Sequence, residues 1–452
     1  MAGLTAQIAE FVAGPAPALS PEVLRTVRTG FVDTVGVMLA GAGEPVTGVV
    51  RGFVQAARSP LHDASVLLGA ERASARDAAL VNATAAHALD YDDVGLMGHP
   101  SVVLVPALLA EGERLHAGGL ALMQAYVKGY EVWGELIARD QDRHHGKGWH
   151  PTAVFGVVAV AAAVAALRGL PAAQAQHAIG IAGSLASGLI ANFGTMTKPF
   201  HAGQAAAHGI DAVNLAQAGM TAAPDAIEHH AGFLAALSPA GRVDRSPCER
   251  PLRELSRVAT LGLTVKKYPM CFATHRVIDG VLDLAREHAL DPQRVREVRA
   301  AIGVTQDSML RNHDPRTGLE AKFSLEFAVA AGLAVRKVGL AELQDAFVRR
   351  ADVQALMRKV RITTVDTVCP HEPTLSLSDR VVVEMDDGRV FDSGDIEETR
   401  GGLARPLLPG ELESKFMDCT AASGVDGATL YGRLQRLETL DDVARLAAAS
   451  AH

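Results

Sequence analysis

From the N-terminus to about residue 260, apolar positions recur at helical spacing in Ala- and Leu-rich runs punctuated by Gly and Pro. No sustained two-residue alternation interrupts them, so the pattern predicts an all-helical first domain. Small residues recur where helices would cross, as in residues 180–188, and favour close backbone approach in a tightly packed bundle. The longest apolar stretch, Ala153 to Leu167, is broken by Gly156 and falls short of the ~18 residues of a membrane span. It reads as a buried helix. Near residue 260 the texture changes. Residues 295–305, 360–368 and 380–385 are rich in β-branched side chains, and Asp386-Asp387-Gly388 reads as a hairpin turn. An Ala-rich helix over about 321–335 lies among them, which predicts a smaller α+β domain. Helical texture returns after about residue 400, and the tail over 410–449 is predicted to pack back on the first domain. The expected fold is mostly α with an α+β second domain: an all-helical domain over 1–262, the α+β domain over 263–400, and returning helices over 401–452.

Proline marks several helix starts and carries unusual neighbours. His99-Pro100, His150-Pro151 and Lys198-Pro199 each put a protonatable or cationic residue before a proline that opens a helix. That residue sits beside unpaired N–H groups and the positive end of the dipole, where Ser, Thr, Asp or Asn is favoured. A positive side chain is disfavoured there by roughly 0.3–1 kcal/mol unless an external anion shares the site. Lys198, before proline, is expected in extended backbone. Lys266-Lys267-Tyr268-Pro269 reads as a fourth such start. The pattern points to an anionic ligand.

Charge narrows the ligand's size. The net charge of −8 over 452 residues, with 48% hydrophobic and 21% charged residues, describes an ordinary globular chain and argues against nucleic acid. A basic patch must therefore be local, which fits a small anion. The first residues lack the basic start and apolar core of a signal peptide. Four scattered cysteines without CxxC spacing fit reduced thiols, so the expected location is cytoplasmic, with no membrane partner. His144, His145 and His150, with Asp90 or Asp92, are candidate metal ligands by residue type, but their spacing lacks a shared helical face or a two-residue gap. No metal is assigned.

The motifs HALDYDD (87–93), GHPS (98–101), GWHPT (148–152), TKPFHAGQAAAHG (197–209), KKYPMCFATH (266–275) and LEAKFSLEF (319–327) occur in this order along nearly the whole chain. Together they resemble the MmgE/PrpD family, which includes 2-methylcitrate dehydratase, cis-aconitate decarboxylase and iminodisuccinate epimerase. The resemblance implies cofactor-free chemistry on a small polycarboxylate, a homodimer, and an inserted α+β domain acting as a lid. The family's active-site positions fall on Asp90, His99, His150, Lys198 and Lys266, lining a cleft between the domains. Asp90, His99 and His150 are the expected catalytic residues. Lys198, Lys266, Lys267, His201 and Lys322 are the expected substrate-binding ones.

Two residues depart from the decarboxylase-like members. Val94 stands where they carry Thr, Cys271 stands where that enzyme has His, and the segment between Asp93 and His99 is shorter. These departures weigh against cis-aconitate decarboxylation. The expected activity is therefore a hydro-lyase dehydrating a 2-methylcitrate-like hydroxy-tricarboxylate. Epimerisation of an iminodisuccinate-like dicarboxylate, a cis-aconitate-type decarboxylation and a non-catalytic anion-binding scaffold are the alternatives.

Overall fold

The computed structural model describes residues 2–57, 59–140, 142, 144–370 and 374–448. It is mostly helical with one small mixed sheet, and its chain divides into two compact units. The first comprises Met1–Leu263 with Leu412–His452, and the second Thr264–Glu411.

In the first unit, the helix Pro151–Leu167 is buried along nearly its whole length, as its unbroken apolar run requires. Around it pack the helices Gly119–Ala138, Pro100–Leu115 and Thr197–Gln217, and the last of these also packs on Ala75–Ala88. Starts are locally encoded. Ser20 Oγ accepts from the Val23 N–H, and Ser74 Oγ from the Asp77 N–H. Gly203 lets Thr197–Gln217 lie directly on Ala75–Ala88, because a Cβ there would overlap the Leu80 carbonyl oxygen and Thr84 Oγ1. This close crossing brings the start of one helix beside the end of the other. The returning segment packs its helix Glu411–Thr420 against Pro21–Ala40, with buried Phe416 and Cys419 facing Gly36.

Two expectations for this unit are corrected. It holds a two-stranded antiparallel pair, Ala64–Ser65 with Arg72–Ala73, so it is not wholly helical. Lys198 is not extended. The helix Thr197–Gln217 starts two residues before Pro199, placing Lys198 and Pro199 in its first turn, where proline's missing N–H has no helical acceptor to lose.

The second unit carries a four-stranded sheet in the order Val360–Val365, Val295–Gly303, Arg380–Met385, Val390–Asp392. The first pair is parallel and the others antiparallel, with Val298 opposite both Val360 and Val383. The helices His275–Glu287 and Leu325–Val335 supply its buried apolar partners. Residues 401–405 stay with this unit: Gly401 O accepts from the Val265 N–H at 3.0 Å, and Arg405 pairs with Asp283 at 2.8 Å.

Pro269 opens no helix. Residues 267–270 form a bend, and a short turn Phe272–Thr274 precedes the helix at His275. The predicted 321–335 helix is likewise divided, because Ser324 takes extended backbone and its hydroxyl caps a new start at Leu325. Among the described residues, no helix is long and apolar enough to cross a membrane.

Candidate active site

The helix Ala75–Ala88 ends in the segment that carries most of the acid and base groups. Leu89 closes the helix, and Asp90 follows with φ +52°, left-handed backbone that Asp tolerates better than most residues. His87 in the last turn is buried, and its Nδ1 lies 3.0 Å from both oxygens of buried Asp92. The chain then turns back through a hairpin bridged at Gly95 and Gly98, whose two turn residues, Leu96 and Met97, both have positive φ. This is the sign pattern of a type I′ turn. The Trp133 indole N–H holds the Leu96 carbonyl at 3.1 Å, and Thr152 Oγ1 accepts from the His99 N–H at 3.2 Å.

His99 and His150 stand at the N-caps of Pro100–Leu115 and Pro151–Leu167, as predicted, and neither gives its helix a side-chain cap. His99 Nδ1 is instead 2.9 Å from both the Asp93 carbonyl and an Asp92 carboxylate oxygen. His150 is fixed by its backbone: its N–H donates to Gly188 O at 3.0 Å. Gly188 has φ +128°, and a Cβ there would press on Ala153 and the His201 ring, so the position admits only glycine without strain.

These elements converge in the first unit. Lys198 Nζ lies 2.6 Å from Asp90 Oδ1 and 5.3 Å from the centre of the Phe193 ring. Asp90 Oδ1 is 4.0 Å from His99 Nε2. The His87 ring meets His99 edge-on at 4.7 Å and stacks on His150 at 5.7 Å. His150 Nδ1 then faces His201 Nδ1 at 3.2 Å. Asp90, His99, His150, Lys198 and His201 thus form one continuous wall.

Burial sets the charges along this wall. It lowers the His87 pKa to about 4, with Asp92 opposing, and pushes His150 well below the usual imidazole value, helped by neighbouring His87 and Lys198. His201 is lowered for the same reasons, burial first and Lys198 second. At neutral pH these rings are uncharged. Burial would raise Asp92, but the facing His87 and His99 outweigh it and hold its carboxyl well below the ordinary range. Asp93 goes the other way, raised well above it by burial and by the Asp33 carboxylate. Two adjacent aspartates are thus pushed in opposite directions, Asp92 toward its ionised form and Asp93 toward its protonated one.

His87, Asp90, Asp92 and His99 each offer a ligand atom within 4.8 Å of the others and are the described residues best placed to hold a metal ion. An ion there would have to displace the Lys198 ammonium from Asp90 and the imidazole nitrogens from Asp92. A cavity of about 530 Å³ in the same unit touches only the flank of His201 among these residues and is lined mainly by apolar groups such as Phe53, Leu80 and Phe200.

The remaining predicted residues belong to the second unit. Lys266 is buried, Lys267 is paired with Glu411 at 2.6 Å, and Lys322 ends a short turn where its carbonyl accepts from the Cys271 N–H at 2.9 Å. The HALDYDD run singles out His87 and Asp92 together with Asp90, but the sequence assigns neither a catalytic nor a substrate-binding role. Their burial was the missing signal.

A model of the MmgE/PrpD N-terminal domain matches residues 6–246, and one of the MmgE/PrpD C-terminal domain matches residues 268–429. The chain belongs to the MmgE/PrpD family. It is similar to the cis-aconitate decarboxylase of Mus musculus, 27% identical over 441 residues that cover 94% of this chain and 88% of the relative. The Homo sapiens cis-aconitate decarboxylase is also 27% identical, over 94% of this chain and 89% of its own. That of Aspergillus terreus is 26% identical over 85% of this chain and 83% of its own. In this MmgE/PrpD chain the helix-start residues His99 and His150 sit in the N-terminal family domain with Asp90, Lys198 and His201.

Proposed function

We propose that this chain is a lyase acting on a small tricarboxylate by acid–base catalysis. The observation that carries the reading is the Lys198–Asp90 pair at 2.6 Å, set beside His99 and the uncharged His150–His201 pair. A cation, a carboxylate and neutral imidazoles on one wall suit a reaction that makes and quenches a carbanion next to a carboxylate. Lys198 holds a substrate carboxylate, Asp90 or a neutral histidine acts as base, and His99 or His150 delivers the proton.

The similar decarboxylases favour loss of CO₂ from a cis-aconitate-like substrate. The bond to one carboxylate breaks, its electron pair stays on carbon, and a histidine proton quenches it as CO₂ leaves. Dehydration of a 2-methylcitrate-like hydroxy acid is the second reading, favoured by Val94 and Cys271 in place of Thr and His. There the base takes the carbon-bound proton, and the departing hydroxide leaves as water with a proton from histidine.

Lys266, Lys267 and Lys322 are assigned to carboxylate binding in the same proposal, and Lys266→Met is expected to raise KM. Exposed Val49, Phe53 and Met196 line one apolar hollow that suits the homodimer, which sedimentation would detect. Incubation with cis-aconitate, 2-methylcitrate, citrate and iminodisuccinate, followed by NMR, separates the outcomes. CO₂ release supports the first reading, water loss the second, and turnover of none ends the lyase proposal in favour of an anion-binding scaffold.

A further inference from the structure

The loop that carries Asp90 and Asp92 is held in an unfavourable backbone conformation. Asp90, Leu96 and Met97 all have positive φ, and non-glycine residues persist there only where the surroundings over-determine them. Trp133 and Thr152 restrain the far end of the loop. At the near end, between the two aspartates, the restraint comes from the opposite end of the sequence.

Lys415 lies on the returning helix Glu411–Thr420 and is buried. Its Nζ donates to the Tyr91 carbonyl at 2.7 Å, lies 2.6 Å from Asp33 Oδ1, and sits 3.9 Å from the centre of the Tyr91 ring. Asp33, on Pro21–Ala40, is also buried. The ammonium therefore grips one residue of the loop by its carbonyl and its ring face, and is itself anchored by a buried carboxylate. Residue 91 is the link between Asp90, which meets Lys198, and Asp92, which meets His87 and His99. A shift of its peptide would move both carboxylates together. Burying a lysine is unfavourable unless its donors are satisfied, and here the contacts are spent on a backbone carbonyl rather than on helix packing alone.

We infer that Lys415 is a positioning residue for the candidate active site, clamping the Tyr91 peptide so that Asp90 and Asp92 keep their places on either side of it. This rests on the acid–base reading of the wall, but the clamp itself can be tested apart from it.

Removing Lys415 alone would leave Asp33 buried without its partner, so the informative variant is the charge-compensated Asp33→Asn/Lys415→Met. Its melting temperature should stay close to that of the parent, while kcat on the substrate turned over by the parent falls on the order of 10²-fold and KM changes little. Amide hydrogen exchange over residues 90–94 should become faster in the variant while exchange in Pro151–Leu167 does not. A folded variant with parental kcat and parental exchange in the loop would overturn the inference. If the parent turns over no tricarboxylate, the lyase reading fails and loop exchange alone decides the clamp. If the variant does not fold, the parent decides it: its 90–94 amides must be protected comparably to those of Ala75–Ala88, and fast exchange there sinks the clamp.

Discussion

Lys198 Nζ and Asp90 Oδ1 lie 2.6 Å apart although 108 residues separate them in the chain, and both remain partly exposed, at 15% and 30% of their side chains. A partly exposed ion pair of this kind contributes only about 0–1 kcal/mol to folding. Lys198→Met and Asp90→Asn should therefore leave the melting temperature nearly unchanged. Under the proposed reaction each should lower kcat/KM at least ~10²-fold, because each removes a group assigned to the substrate's carboxylate or proton. Thermal melts run beside steady-state kinetics check this, and a variant that unfolds would mark the pair as structural.

The His150–His201 contact makes a second demand. Two Nδ1 atoms 3.2 Å apart share one proton, so one ring donates and the other accepts, and burial keeps both uncharged at neutral pH. His150→Ala should reduce kcat by about 10²–10⁴-fold. His201→Phe, which removes only the partner that sets the tautomer, should cost less. Rate profiles against pH would show whether the pair acts together: the acidic limb should move in His201→Phe, and an unmoved limb would mean His150 works alone.

His87 predicts a pH dependence of stability. Its pKa is about 4 in the folded chain, whereas the unfolded ring takes a proton near 6.5. Between those values the unfolded state binds more protons, so stability is lost as pH falls from about 6.5 to about 4 and this contribution is flat below. The loss from this one ring is on the order of 3 kcal/mol. Urea unfolding of the parent and His87→Phe across that range should show a shallower slope in the variant.

Gly203 tests the helix crossing that assembles the wall. A methyl group there meets the Leu80 carbonyl and Thr84 Oγ1, so Gly203→Ala should destabilise by about 1–3 kcal/mol and also weaken turnover, by separating Lys198 from Asp90. Unfolding in denaturant gives the first quantity and kinetics the second.

The metal question has its own test. Because an ion at His87, Asp90, Asp92 and His99 would have to displace Lys198 from Asp90, activity is expected to survive EDTA. Loss on chelation with recovery on Zn²⁺ or Fe²⁺ would reverse that assignment.

Periodicity and local caps, which act over a few residues, made much of the fold legible in the chain itself. The buried helix Pro151–Leu167, the strands near 295, 360 and 380, the helical tail and the His99 and His150 helix starts all follow from such short-range rules. The motifs also named Asp90, Lys198 and His201. Tertiary structure decided what no local rule carries. It placed Lys198 inside its helix rather than before it, withheld a helix from Pro269, and split the 321–335 helix at Ser324. It decided the electrostatics too. Asp92 and Asp93 are neighbours with the same side chain, yet one faces two imidazoles and the other a buried carboxylate. Only the packed chain brings those partners near, along with Lys415 from the far end. Charge at a buried site depends on what lies within a few ångströms in space, and the linear chain specifies that only through the whole fold.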